Sequence, residues 1–134
     1  MKAIVIGGSL GGLFTATLLR QKGFDVEVFE RSTGTLASRG GGVVLQPAVR
    51  EVFRRGATLT DISEDEGGVT ATFADGTTAR ADFLVGADGN GSTVRRLLWP
   101  EAEPSYAGYF AWRGLVAEAD MPLPARTGLH GDFA

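Results

Sequence analysis

Residues 2–13, Lys-Ala-Ile-Val-Ile-Gly-Gly-Ser-Leu-Gly-Gly-Leu, decide the fold. Ala3 to Ile6 is an apolar run long enough for one buried strand, and glycine cuts it off at once. Gly7, Gly8, Gly11 and Gly12 crowd the turn that follows, and Leu13 to Arg20 is predicted as a helix packed back on the strand. Phe24 to Phe29 reads as a second strand, ending in Glu30. A strand–turn–helix–strand unit of this kind suits a dinucleotide. The tight turn lets phosphate oxygens approach the backbone, and the helix start adds unpaired N–H groups and the positive end of its dipole. Glu30 stands a little over 20 residues beyond the first glycine, where a ribose hydroxyl needs an acceptor.

Set against G-x-G-x-x-G, the glycine positions fall on Gly7, Ser9 and Gly12, so serine occupies the middle one. That position is normally glycine because the backbone there must come close to the diphosphate. Serine is the least intrusive replacement, and its hydroxyl can donate to a phosphate oxygen. A plain strand–turn–helix without a ligand is the alternative. The ordered succession of strand, helix, second strand and terminal acid favours nucleotide binding.

Working outward, 134 residues suffice for one domain with a modest core. A hydrophobic content of 43% with 22% charged residues is that of a soluble globular chain. The net charge of −3 gives no electrostatic reason to expect nucleic acid or an anionic membrane as partner. Cysteine is absent, which excludes disulfides and thiolate ligands and fits a reducing compartment. No secretory leader and no apolar stretch of membrane-spanning length is visible, so a soluble cytoplasmic protein is expected. There is no internal repeat.

Beyond Arg31 comes an irregular loop with glycines at 40–42, suited to a backbone lying against something flat or bulky. Arg39 in this loop faces either a phosphate or ring, or simply solvent. Pro47 sits at the favoured first position of a helix, and Val49, Val52 and Phe53 fall at helical spacing before Gly56, which predicts a helix over 48–55. Thr58–Ile62, Val69–Phe73 and Thr77–Ala81 alternate as three antiparallel strands, with turns at Gly67-Gly68 and Asp75-Gly76. The acidic run Asp61–Glu66 lacks metal-ligand spacing with a glycine bend; it is expected to be a solvated turn, with no metal bound. Phe83-Leu84-Val85 is a further buried strand, and Gly-Ala-Asp-Gly-Asn-Gly-Ser-Thr-Val-Arg-Arg makes a second strand–glycine turn–helix junction at 86–96. Ser92 is placed to cap a helix carrying Val94, Leu97 and Leu98, which Trp99-Pro100 ends. Asp88 stands where open α/β sheets place ligands, though an aspartate there also stabilises a turn through nearby amides. Tyr106–Val116 is aromatic and strand-like.

These motifs resemble those of the FAD-dependent aromatic hydroxylases, single-component flavoprotein monooxygenases of the p-hydroxybenzoate hydroxylase type. Val-Ile-Gly-Gly-Ser-Leu-Gly-Gly-Leu is similar to the family's diphosphate-cradling motif, which implies roles for Gly7, Gly8, Ser9, Leu10 and Gly12. Val-Phe-Glu-Arg resembles its second-strand ending and implies that Glu30, with Arg31, holds the adenosine ribose. Phe-Leu-Val-Gly-Ala-Asp-Gly-Asn-Gly-Ser-Thr-Val-Arg is similar to its Asp-Gly motif. That implies a role for Asp88, Gly89, Ser92 and Arg95 near the FAD and NAD(P)H diphosphates. Ser9 together with Arg-Gly-Gly-Gly-Val-Val-Leu-Gln-Pro is similar to the 2,6-dihydroxypyridine hydroxylase branch and implies that Arg39, Gly42 and Val43 lie near the flavin.

The resemblance implies an α/β fold: a Rossmann-like FAD-binding domain over 1–100 with a parallel sheet and an antiparallel β-meander, then the start of a substrate-side sheet over 101–134. It implies FAD as cofactor, NAD(P)H as co-substrate, and hydroxylation of an electron-rich aromatic or N-heteroaromatic ring by O2. Family members are several-fold longer. The chain therefore reads as internally deleted, with only Gly56-Ala57 bridging the gap, and as truncated beyond residue 134. An uncovered aromatic strand would leave an exposed patch prone to self-association into homo-oligomers. No catalytic residue is identifiable, and His130 has no assignable partner. Two other readings stand beside the hydroxylase: a non-catalytic nucleotide-binding remnant, and an NAD-dependent Rossmann dehydrogenase, against which Asp88-Gly89 and Glu30-Arg31 argue.

Overall fold

The computed structural model describes residues 1–34, 51–111, 114 and 116–124. The chain divides into two compact units, Met1–Pro104 and Ser105–Ala134.

The first unit begins with β1 (Lys2–Ile6), α1 (Leu10–Gln21) and β2 (Asp25–Glu30). It continues with β3 (Phe53–Arg55), β4 (Leu59–Asp65), β5 (Gly68–Phe73), β6 (Thr78–Ala81), β7 (Phe83–Gly86) and α2 (Thr93–Leu98). Strands in the order β3-β2-β1-β7 form a parallel sheet, and β4-β5-β6 form an antiparallel meander. The pleat of β1 sends alternate side chains to opposite faces. Ala3 and Val5 pack with Leu13 and Ala16 of α1 and with Val26 and Val28. Ile4 and Ile6 pack with Phe29, the meander residues Leu59, Val69, Ala71, Phe73 and Ala81, and Val94 of α2. Phe29 stacks on Phe73 at a centroid distance of 4.5 Å, joining the two sheets. The unit is thus helix, parallel sheet and meander in layers, with β1 buried on both faces as its unbroken apolar run requires.

α1 starts at Leu10, earlier than the expected Leu13, and takes Gly11 and Gly12 into its first turn. The backbone closes there because Ser9 adopts the extended N-cap conformation and its carbonyl accepts from Leu13 N–H at 2.9 Å. The helix expected over 48–55 is corrected from Glu51 onward; residues 47–50 lie outside those described. Glu51 and Val52 form a turn and Phe53–Arg55 is strand β3, registered Val28↔Phe53 to Glu30↔Arg55. The apolar spacing fits a helix face, but β2 offers a row of unpaired backbone groups, and Val52 carbonyl already accepts from Val28 N–H at 2.9 Å. Gly56-Ala57, expected to bridge a lost segment, is a short link between β3 and β4, held by Ala57 N–H on Glu30 carbonyl at 3.0 Å.

The three antiparallel strands form as expected, with the Asp75-Gly76 turn between β5 and β6. The acidic run is corrected: Asp61–Asp65 belongs to β4, and only Glu66-Gly67 is turn. β4 is an edge strand whose carboxylates project into solvent, a placement that discourages pairing with another chain. α2 starts and ends as predicted, with Ser92 Oγ accepting from Arg95 N–H at 3.0 Å and Trp99 as C-cap.

In the second unit the described residues from Ser105 to Ala111 form no strand, contrary to the expectation for Tyr106–Val116; Trp112, Arg113 and Leu115 lie outside the described residues. An aromatic sequence becomes a strand only where a neighbour takes its N–H and C=O groups. Tyr106, Tyr109 and Phe110 are 74%, 77% and 72% exposed. Glu118–Asp120 is a single 3₁₀ turn. Among the described residues no helix is long and apolar enough to cross a membrane.

Candidate cofactor site

Next to β1, β2 lies on one side and β7 on the other, so the chain leaves the sheet in opposite directions at the carboxyl end of β1. Open α/β sheets place ligands at such a switch point. Both glycine turns meet here. Gly7 has φ +109°, a conformation open to glycine, and its N–H donates to Phe29 carbonyl at 2.8 Å. A Cβ on Gly7 would run into the Ala87 carbonyl, and one on Gly12 into the Gly7 carbonyl. At Gly8 it would collide with the Phe53 ring. The turn therefore exists only as glycine, packed between β3 and the second junction.

Glu30 ends β2 and is 8% exposed. Its carboxylate accepts from Gly8 N–H and from Ser32 N–H, each at 2.8 Å. Burial pushes its pKa upward, but those amides, the Ser32 hydroxyl and the Arg31 charge pull harder, leaving the group below the ordinary glutamate value. The acid is ionised at neutral pH. A carboxylate offers about four acceptor positions. The Gly8 amide and the Ser32 amide and hydroxyl take three of them, so the carboxylate keeps capacity for one further hydroxyl donor.

The two helix starts differ. At α1 the Ser9 side chain makes no capping bond and the first turn holds no acid, so the amides of Leu10, Gly11 and Gly12 precede the first intrahelical bond. At α2, Asp88 accepts from Ser92 Oγ and Thr93 N–H at 2.6 Å and from Val94 N–H at 3.3 Å. Asp88 thus serves as the turn-stabilising aspartate that its position also allowed.

Gly7, Ser9, Glu30, Arg31, Asp88 and Gly89 line one cavity of about 480 Å³, within the roughly 300–1,000 Å³ usual for ligand pockets. Gly8 and Gly12 build its wall from behind, and Leu10 is exposed on α1. Arg95 is not brought in: it lines a separate cavity with Asp82 and Trp99, and its guanidinium donates to Asn90 carbonyl. Arg39, Gly42 and Val43 lie outside the described residues. Sequence reasoning missed Phe53, which backs the glycine turn, and Ser32, Thr58, Thr93 and Arg96, which line the cavity. Among the described residues no group of three His, Cys, Asp or Glu side chains is disposed to hold a metal ion.

The profile of an NAD(P)-binding Rossmann-like domain matches residues 5–75, and that of the FAD binding domain matches residues 48–129. The chain belongs to the FAD-binding domain family, with a Rossmann-like first half. More particularly, it is 29% identical to 2,6-dihydroxypyridine 3-monooxygenase of Paenarthrobacter nicotinovorans, over 87% of this chain and 43% of that protein. The structure of 2,6-dihydroxypyridine-3-hydroxylase from Arthrobacter nicotinovorans superposes with a TM-score of 0.68 at 28% identity, covering 80% of this chain and 41% of that one. Klebsiella pneumoniae HpxO complexed with FAD and uric acid superposes at 0.60 and 25% identity, covering 72% and 41%. The resemblance read from the glycine and Asp-Gly motifs therefore holds. The chain spans less than half the length of these relatives. The first alignment also runs to 173 positions, more than the 134 residues here, so that relative carries internal residues that this chain lacks.

The residues present fit FAD. Glycines that no side chain can replace, an uncapped helix start and an ionised acid with spare acceptor capacity are what a diphosphate and a ribose require.

Proposed function

We propose that this chain holds the adenosine diphosphate half of FAD, and that the protein of which it represents this part is an NAD(P)H-dependent monooxygenase. The reading rests above all on Glu30, an ionised carboxylate at the end of β2 tied directly to the amide of the glycine turn. Gly7, Gly8, Ser9, Leu10 and Gly12 would surround the diphosphate, with backbone N–H groups and the Ser9 hydroxyl donating to its oxygens. Glu30 would accept from a ribose hydroxyl while Arg31 and Gly89 border the same cavity. Asp88 holds the α2 turn in place and keeps a second anion out of it. Bound FAD would supply hydride acceptance from NAD(P)H and activation of O2; the protein orients the cofactor and excludes water. The relatives' names point to a small electron-rich aromatic or N-heteroaromatic substrate, and the lack of cysteine suits the cytoplasm. Residues 1–100 would form the cofactor domain, and 101–134 the opening of the substrate side. Arg39, Gly42 and Val43 would lie near the flavin.

A second reading, a nucleotide-binding remnant without catalysis, is favoured by the internal residues that the relative has and this chain lacks. One experiment separates the two. The chain is mixed with FAD, freed of excess flavin by gel filtration, and its visible spectrum recorded. A retained flavin band that bleaches with NADH supports the monooxygenase, and retention without bleaching supports the remnant. Absence of flavin from the wild-type chain overturns cofactor binding. Glu30→Ala should weaken retention about tenfold, the worth of a charge-assisted hydrogen-bond pair.

A further inference from the structure

The cavity at the switch point contains two carboxylates, Glu30 and Asp88, and two guanidinium groups, Arg31 and Arg96. Their commitments differ. Glu30 is held by the Gly8 and Ser32 amides, and Asp88 by the Ser92 hydroxyl and the Thr93 and Val94 amides. Arg31 lies close enough to Glu30 to lower its pKa. Among the described residues Arg96 bonds neutral oxygens: Nη1 donates to Gly91 carbonyl and Nη2 to Thr93 Oγ1, each at 2.8 Å. The ion pairs found among the described residues join Lys2 and Arg54 to Glu27, and Arg80 to Asp65, and none involves Arg96. Its neighbour Arg95 points into a different cavity. A guanidinium has five donors in a planar fork, so two bonds to neutral acceptors leave donors and a full charge at the cavity mouth. Those two bonds also fix the side chain in place, so little rotamer freedom remains to be lost when an anion arrives.

We infer that Arg96 is a cofactor-positioning residue that neutralises the diphosphate from the side opposite the α1 helix start. The inference rests on the FAD reading above and adds to it a residue outside the glycine motif. In this arrangement the α1 amides and Ser9 approach the phosphates from one wall, and Arg96 with Thr93 from the other. Adenosine, which lacks phosphate, does not engage Arg96.

The test compares FAD, ADP and adenosine binding to the wild-type chain and to Arg96→Gln, Arg96→Lys and Lys22→Gln, by flavin fluorescence quenching and calorimetry, with circular dichroism confirming the fold. Arg96 is exposed, so the substitutions leave the core untouched. Arg96→Gln should raise the ADP and FAD dissociation constants about five- to tenfold at low salt, and added salt should shrink the difference. Adenosine affinity should stay unchanged, and Arg96→Lys should recover part of the loss. Lys22→Gln, the same charge change beyond the far end of α1, should bind ADP as the wild type does. Equal ADP affinity for wild type and Arg96→Gln overturns the assignment while leaving the cofactor reading intact. An equal loss for adenosine, or for Lys22→Gln, likewise overturns it in favour of a fold or net-charge effect. A wild-type chain that binds neither FAD nor ADP overturns the cofactor reading and this assignment together.

Discussion

Two junctions of the same kind lie side by side in the parallel sheet: β1 into α1, and β7 into α2. Both run from a strand through glycines into a helix that begins at a serine. At α2 the anion is built in, because Asp88 and Ser92 satisfy the helix amides from within the chain. At α1 no side chain among the described residues does so, and the serine hydroxyl makes no capping bond. A shared strand–glycine–helix order therefore yields a side-chain-capped helix start after a five-residue loop, Ala87 to Gly91, and one without a serine cap after only Gly7 and Gly8. The difference lies in Asp88 and in the serine hydroxyl, which caps at Ser92 and not at Ser9.

That contrast can be broken or sharpened by substitution. The largest effect is expected for Gly12→Ala, whose Cβ would occupy the space of the Gly7 carbonyl. A loss of about 3 kcal/mol in urea unfolding is expected, because backbone rather than a flexible side chain must yield. Asp88→Ala would open the second junction as the first is open, leaving the Thr93 and Val94 amides without their acceptor. It should cost about 2 kcal/mol by the same measurement.

Acid should act on the first junction through Glu30. Its pKa is depressed in the fold, so its stabilising contribution is complete above the unfolded value of 4.5 and is lost as pH falls through the folded value. The gap between the urea midpoints of wild type and Glu30→Gln should therefore be constant at neutral pH and close as the pH falls below 4.5. The smallest change is expected for Gly11→Ala. A Cβ there meets nothing within 4 Å and the site is helical, so a gain of about 0.5–1 kcal/mol is expected. A thermal melt that shows Gly11→Ala destabilising would mean that the open helix start is tighter than its geometry implies.

Much of this was legible in the residues. The unbroken Ala3–Ile6 run marks a strand buried on both faces, and Asp75-Gly76 marks a hairpin, because each signal is local. Phe53 was not legible. Its spacing from Val49 suits a helix, and only the free edge of β2, far away in sequence, turns it into a strand that backs Gly8. The acidic run failed for the same reason: carboxylates read as a turn until β5 supplies the partner that makes them an edge strand. Arg95 and Arg96 are adjacent in sequence, and the rotation of a six-residue helix against the sheet decides which one meets the glycine turn. Ser92 and Asp88 were readable because a capping serine and its aspartate act within one turn.

The two amide bonds of Glu30 have a kinetic consequence. By holding Gly8 and Ser32 at once, the carboxylate links the glycine turn to the loop after β2 before any nucleotide is present. A nucleotide then meets a glycine turn and a loop that are already tied to each other, so less conformational entropy is surrendered at encounter. Capture is then governed by diffusion and orientation, and differences in affinity among nucleotides reside in how slowly each one escapes.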